Sequence, residues 1–203
     1  MCAVGQLEHL GISEIAVVTG FKASKIREVL GARVSYIFNP FYAHCNNMGS
    51  LWCAREFVGN DPFIYSHADI IYHPDILQSA AAEFATSDFD LSLVTDFCQT
   101  DEEMMKVAVT SDNFLLESHK AIAPHEAAGE WTGIAFVRSS DRLFGAMEKI
   151  LAEEGLDYYD TRAFSLLARD GEKVFCSSTK DLPWTEIDFE ADYKRACELF
   201  EES

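Results

Sequence analysis

The chain has 203 residues, enough for one domain with a sizeable core. Its 48% hydrophobic and 25% charged residues suit an ordinary globular protein, and no apolar run approaches the length of a membrane span. Thirty-four acidic against sixteen basic residues give a net charge of −18, which argues against nucleic acid or an anionic membrane as a partner. That charge does not exclude a nucleotide neutralised by Mg²⁺. The first residues lack a basic stretch followed by a long apolar core, so the expected compartment is cytoplasmic. The cysteines (Cys2, Cys45, Cys53, Cys98, Cys176 and Cys197) form no C-x-x-C pair and read as reduced thiols rather than zinc ligands.

In chain order, residues 15–18 of "GISEIAVVTGF" read as a strand stopped at Gly20. "ASKIREVLG" spaces Ile26, Val29 and Leu30 helically before the stop at Gly31, and "RVSYIFN" is a second strand ended by Asn39–Pro40. Residues 49–58 are expected as a helix, "PFIYSHAD" as a third strand, and "HPDILQSAAAEFA" as a helix starting near Pro74. From about residue 90 the texture changes. "DLSLVTDF", "MKVAVTS" and "NFLLESH" are closely spaced strands with "SDN" as a turn, and "EWTGIAFVRSS" is another. Helices follow over 139–153 and 161–169, then a last strand in "EKVFCSS" and a helical tail from Phe189.

This order predicts a single α/β domain over 1–203, with a nucleotide-binding-like half over 1–89 and a smaller mixed half over 90–203. Ligands of open α/β sheets gather outside the carboxyl ends of the strands. Asp69, in "FIYSHADIIYH", falls at such an end. Burying an unpaired carboxylate is costly, so Asp69 is either solvated or paired with a cation. His67 and His73 flank it, and residues 67 and 69 share one face of a strand. A metal hydrolase using His67, Asp69 and His73 is one reading of that trio; polar histidines at a strand end are the simpler one.

Three stretches carry a family resemblance: "GISEIAVVTGF", "FNPFYAHCNNMGSLWCAREF" with "PFIYSHADIIYHPDIL", and "PWTEIDFEADYKRA". Together they resemble the sugar-nucleotide-type nucleotidyltransferases, in the branch of bacterial choline-phosphate cytidylyltransferases and phosphonate-activating enzymes. "NN-x-x-SL" at 46–51 and "EID" at 186–188 are the most specific parts, and the middle piece with Lys120 and Gly133 also fits. The resemblance implies a Rossmann-like three-layer α/β domain with a mixed, mainly parallel sheet. It implies transfer of a nucleotidyl group, CTP favoured as donor, to a small phosphorylated acceptor such as choline phosphate or an aminoalkyl phosphonate, with pyrophosphate released. A sugar phosphate is the alternative acceptor.

By the same resemblance, Mg²⁺ is the cofactor and Asp69, Asp188 and Glu186 are its ligands. Asp69, Asp188 and Lys120 are the catalytic residues, and Asn47, Ser50, Glu130, Trp131 and Tyr159 contact substrate. Trp131, Tyr158, Tyr159 and Trp184 border the acceptor pocket, where aromatic faces hold a quaternary ammonium by cation–π attraction, with Asp157 or Asp160 as counter-charge. Taken alone, Asp188 also suits a helix cap, and Asn46, Asn47 and Ser50 suit a turn and helix start. The family's opening strand, its Gly-rich loop with an Arg, and its Pro-Lys motif have no counterpart in this sequence. The expectation is therefore an N-terminally truncated domain of weak or no activity, or a non-catalytic remnant or partner subunit. A homo-oligomer, or pairing with another protein, is one way to cover the exposed strand edges.

Overall fold

The computed structural model describes residues 3–200. Cys2 therefore lies outside the described residues. The first part runs α1 (Ala3–His9), β1 (Ala16–Thr19), α2 (Ala23–Leu30), β2 (Ser35–Phe38), α3 (Asn47–Cys53), α4 (Arg55–Val58) and β3 (Phe63–Ser66). Next come β4 (Ile70–Tyr72), α5 (Pro74–Thr86), β5 (Leu91–Asp96), β6 (Lys106–Val109), β7 (Leu115–Ser118) and β8 (Gly129–Val137). The last part is α6 (Ser140–Glu153), α7 (Thr161–Arg169), β9 (Val174–Ser178), β10 (Trp184–Glu186) and α8 (Glu190–Phe200).

Local chemistry sets several of these boundaries. Pro74 opens α5 where no backbone donor is needed, and His73 Nδ1 accepts from Asp75 N at 3.2 Å. Asp160 caps α7 through Oδ1, which accepts from Thr161 N at 2.8 Å. The helix expected over 49–58 is two pieces, because the chain tightens at Ala54, whose N–H reaches the Leu51 and Trp52 carbonyls.

Six strands form the main sheet, with β7, β6, β8, β5 and β9 in that order. The long β8 pairs β5 along one edge and divides its other edge between two partners. β6 takes Gly129 and Glu130, while β3 takes residues 134–137. Between them is a notch at residues 131–133, where Trp131 N donates to Met105 O and His67 N donates to Gly133 O.

Alternation along β5 and β8 builds two cores. Leu91, Leu93, Trp131, Ala135 and Val137 face α3, α6 and α7, with Met48, Leu143, Met147 and Phe164 fully buried among them. Val94, Ile134 and Phe136 face the opposite way, against α5 and β4. Helices on both faces give the expected three layers.

The sheet is mixed, as expected, but its parallel share is smaller than the strand–helix alternation suggests. Parallel pairing is confined to β1–β2 and β5–β9. β8 runs antiparallel to β3, β5 and β6, and β6 joins β7 through a short turn, which permits only an antiparallel neighbour. β1 and β2 form a two-stranded sheet of their own. A groove of about 1340 Å³ separates β1 from β3 and is lined by residues 15–18 on one side and 62–66 on the other.

Two strands escape the sequence reading. β4 and β10 are three residues each and pair antiparallel, Glu186 opposite Ile70 and Trp184 opposite Tyr72. The "PWTEID" segment is thus a strand running into a turn. No described helix is long and apolar enough to cross a membrane.

Candidate active site

The groove between β1 and β3 continues past the end of β3 to the notch in β8. There it is lined by Asn47, Ser50, His67, Asp69, Lys120, Glu130, Trp131, Tyr159, Glu186 and Asp188. Every residue carried over from the family resemblance as catalytic, substrate-binding or metal-ligating therefore borders one cavity.

The carboxylates are assembled by the β4–β10 pair. Ile187 N donates to Asp69 O at 2.7 Å, which brings Asp69 beside Glu186 and Asp188 across more than a hundred residues of chain. The neighbouring charges are felt: burial, then Asp69 and Asp188, push the Glu186 carboxyl above its usual pKa, partly offset by His67 and Lys120. Asp188 is free of the capping duty its sequence position suggests. Asp192 does that work, its Oδ2 accepting from Phe189 N at 2.9 Å and Asp188 N at 3.3 Å.

Hard oxygen donors at this spot fit Mg²⁺ in kind. Among the described residues, however, no three His, Cys, Asp or Glu side chains are grouped closely enough to hold a metal ion. One or two carboxylates completed by substrate phosphates and water is the usual Mg²⁺ arrangement, and it is the one these residues fit.

His67 is more deeply engaged than a strand-end histidine. Its Nε2 lies 3.2 Å from Asp160 Oδ2 and 3.1 Å from Asn47 Nδ2. Asp160 is fully buried, and its N–H donates to Asn47 Oδ1 at 2.9 Å. A carboxylate only accepts, so it selects the Nε2–H form of the ring. Burial works against a charged imidazole, yet the hydrogen bond and charge of Asp160, with Asp69 and Glu186 behind them, raise its pKa. The ring packs edge-on to Trp131 and Tyr65, at 4.9 and 5.5 Å between centroids. Gly133 makes room for it. A Cβ there would lie 2.9 Å from His67 Cγ, on a backbone already at φ +87°.

His73 takes no part in this cluster. Its ring caps α5, so the hydrolase trio of His67, Asp69 and His73 does not form. Of the four aromatics, Trp131 and Tyr159 line the cavity and the other two do not. Trp184 turns away to donate its Nε1–H to Asp96 Oδ2, and Tyr158 packs against the core. Trp131 is 2% exposed and donates to Ile134 O, while Tyr159 has Lys120 Nζ 5.8 Å from its ring. Asp160, offered as a counter-charge, is spent on His67 and the start of α7. Ser50 Oγ accepts from Asn39 Nδ2 at 3.1 Å.

Acidity marks the wall around Glu130. Burial, then the Glu186 charge, pushes the Glu130 carboxyl up to about 7. Glu103 lies on the same wall, and Lys120 is the one lysine or arginine along the cavity among the described residues. The loop carrying Glu103 is pinned from beneath by the buried Lys106, whose Nζ donates to the carbonyls of Asp101, Glu102 and Met104.

Solved structures superpose over nearly the whole chain. The inositol-1-phosphate CTP transferase of T. maritima matches with a TM-score of 0.77 at 21% identity, covering 97% of this chain and 79% of its own. A Bacillus anthracis protein assigned as a glucose-1-phosphate thymidylyltransferase matches at 0.84 and 20% identity, covering 99% and 81%. The CTP:phosphocholine cytidylyltransferase of Streptococcus pneumoniae matches at 0.73 and 17%, covering 97% and 82%. The chain has the nucleotidyltransferase fold.

In sequence, this nucleotidyltransferase-fold chain is 25% identical over 209 aligned positions to the CMP-5'-(3-aminopropyl)phosphonate synthase of Streptomyces rubellomurinus. The alignment takes in 95% of the chain, which spans about a third of that relative's length. No family model matches the sequence. The residues that sequence reasoning missed are Asp160 as a buried hub, and His67 and Asn47 as its partners. Only the unusual "SHAD" between apolar runs hinted at them.

Proposed function

We propose that this domain serves cytidylyl transfer from CTP to a small acceptor bearing a phosphonate or phosphate, with release of pyrophosphate. The observation that carries the reading is the convergence of Asp69 with Glu186 and Asp188 at a strand end of a nucleotidyltransferase fold. An acceptor oxygen attacks the α-phosphorus of CTP, the bond to the β-phosphate oxygen breaks, and pyrophosphate leaves. Asp69 and Asp188 would hold Mg²⁺, with Glu186 as its neighbour or third ligand. When bound, Mg²⁺ neutralises charge growing on the non-bridging oxygens. Lys120 supplies a cation to a phosphate, while Asn47, Ser50, Trp131 and Tyr159 shape the wall.

An aminoalkyl phosphonate is the acceptor favoured over choline phosphate or a sugar phosphate. Only Trp131 and Tyr159 of the four aromatics line the cavity, and Glu130 and Glu103 beside them offer carboxylates to a primary ammonium. The curated relative is named for an aminopropyl phosphonate product, which agrees.

A triphosphate in this cavity meets several carboxylates and a single lysine, so the chain by itself binds CTP weakly and turns over slowly. A strand-forming segment seated between β1 and β3, bringing backbone N–H groups and cations, would pair both edges and supply donors to the phosphates. Pyrophosphate release from CTP and 3-aminopropylphosphonate, measured with Mg²⁺ for the chain alone and for a fusion carrying such a segment, tests the reading. Activity in the fusion that disappears in Asp69→Asn and Asp188→Asn supports it. A fusion that folds yet releases no pyrophosphate with any of the three acceptor classes sinks it.

A further inference from the structure

We propose that His67 is a positioning residue of this site, holding the Tyr159–Asp160 wall in register with the strand end that bears Asp69. The proposal rests on the transferase reading, because it gives that wall to the acceptor. Its grounds are geometric.

His67 joins four parts of the molecule at one ring. Its backbone N–H belongs to the β3–β8 seam, at Gly133 O. The ring face rests in the space that Gly133 leaves free, and its edges meet Trp131 and Tyr65. Nε2 reaches Asp160 Oδ2, whose companion oxygen Oδ1 begins α7 at Thr161 N. Asn47, at the start of α3, holds Asp160 from the backbone side, its Oδ1 accepting from Asp160 N at 2.9 Å. The His67 side chain is only 19% exposed and that of Asp160 is 0% exposed, so this link is shielded from water.

Tyr159 precedes Asp160 and lines the cavity, and Asp69, two residues beyond His67, lines it too. One hydrogen bond therefore links the segment that carries Asp69 to the segment that carries Tyr159. A merely solvated strand-end histidine needs neither a buried carboxylate nor a glycine cut away beneath it. Losing the ring's donor would leave Asp160 buried with one partner fewer, and Asp160 with Tyr159 would shift to find another.

The test compares wild type, His67→Gln and His67→Phe. Gln keeps an N–H near the position of Nε2, whereas Phe keeps the ring contacts and loses the donor. Calorimetric titration follows 3-aminopropylphosphonate with Mg²⁺ present and, separately, Mn²⁺ alone. His67→Phe is expected to weaken phosphonate binding about tenfold or more, the range of lost supporting hydrogen bonds around a site. Mn²⁺ affinity stays within about twofold, and His67→Gln recovers most of the phosphonate affinity. Equal loss of both ligands in His67→Phe, or no recovery in His67→Gln, overturns the proposal. If wild type binds no phosphonate, the choice of acceptor has failed instead, and the pyrophosphate assay judges the transferase reading. Hydrogen exchange then still judges the positioning, since unchanged protection of the Asp160 and Thr161 amides in His67→Phe refutes it.

Discussion

The six-stranded sheet and the β1–β2 pair are built to different standards. β5 and β8 are buried on both faces between helices, and side chains such as Leu93, Ile134 and Phe164 are fully enclosed. Along β1, α2 and β2 the only buried residue is Thr19; Val29 is 81% exposed and Phe38 is 56% exposed. One region has a core of its own, while the other borrows a little from α3 and the rim of the groove. Stability is thus carried by the six-stranded sheet, and the β1–β2 side adds little to it.

The largest test of that contrast is a pair of truncations. Phe164→Ala should cost about 3–5 kcal/mol in global unfolding by denaturant, in line with a fully enclosed aromatic. Val17→Ala, in the half-buried β1, should cost about 1 kcal/mol or less. Equal costs would abolish the distinction between the two regions.

A middle-sized effect lies at the seam, at Glu130. Its carboxyl is raised to about 7 in the folded protein, so the folded state holds a proton that the unfolded chain has already released near pH 4.5. Stability therefore falls as pH rises from about 4.5 to 7. Glu130→Gln should flatten that slope in thermal melts taken across the interval and raise the melting temperature most at its upper end. A wild-type stability that climbs over the same interval even after other groups are accounted for by the variant would contradict this.

The smallest effect is chemical. Burial pushes the Cys176 thiol, on β9 of the main sheet, up to about 12. Thiolate is the reactive form, so at pH 8 Cys176 should be the last of the described cysteines to be alkylated, well after Cys45 beside the β1–β2 region. Mass spectrometry of a timed iodoacetamide reaction reads the order directly.

Much of the main sheet was legible because its strands are long apolar runs bounded by turn residues. β5 and β8 fall where "DLSLVTDF" and "EWTGIAFV" place them. β4 and β10 were not legible. Three residues are too few for a period, and what makes them strands is each other. The same holds within the site. Asp69 and the "EID" carboxylates could be named from resemblance, but their meeting depends on the register of β4 with β10. The link between His67 and Asp160 spans 93 residues and leaves no local pattern at all. Sequence reasoning gave the ring less weight than it merits, because polar side chains at strand ends are common and only burial sets this one apart.

The β4–β10 pair has a consequence for synthesis. A chain leaving the ribosome displays every strand of the main sheet once residue 178 has emerged, and domains begin to fold as their elements appear. Asp69 then still lacks Glu186 and Asp188, which arrive with the last strand and the turn behind it. The scaffold can be complete before its carboxylates meet. A polypeptide halted just short of Trp184 should therefore be a folded body with half of the carboxylate cluster.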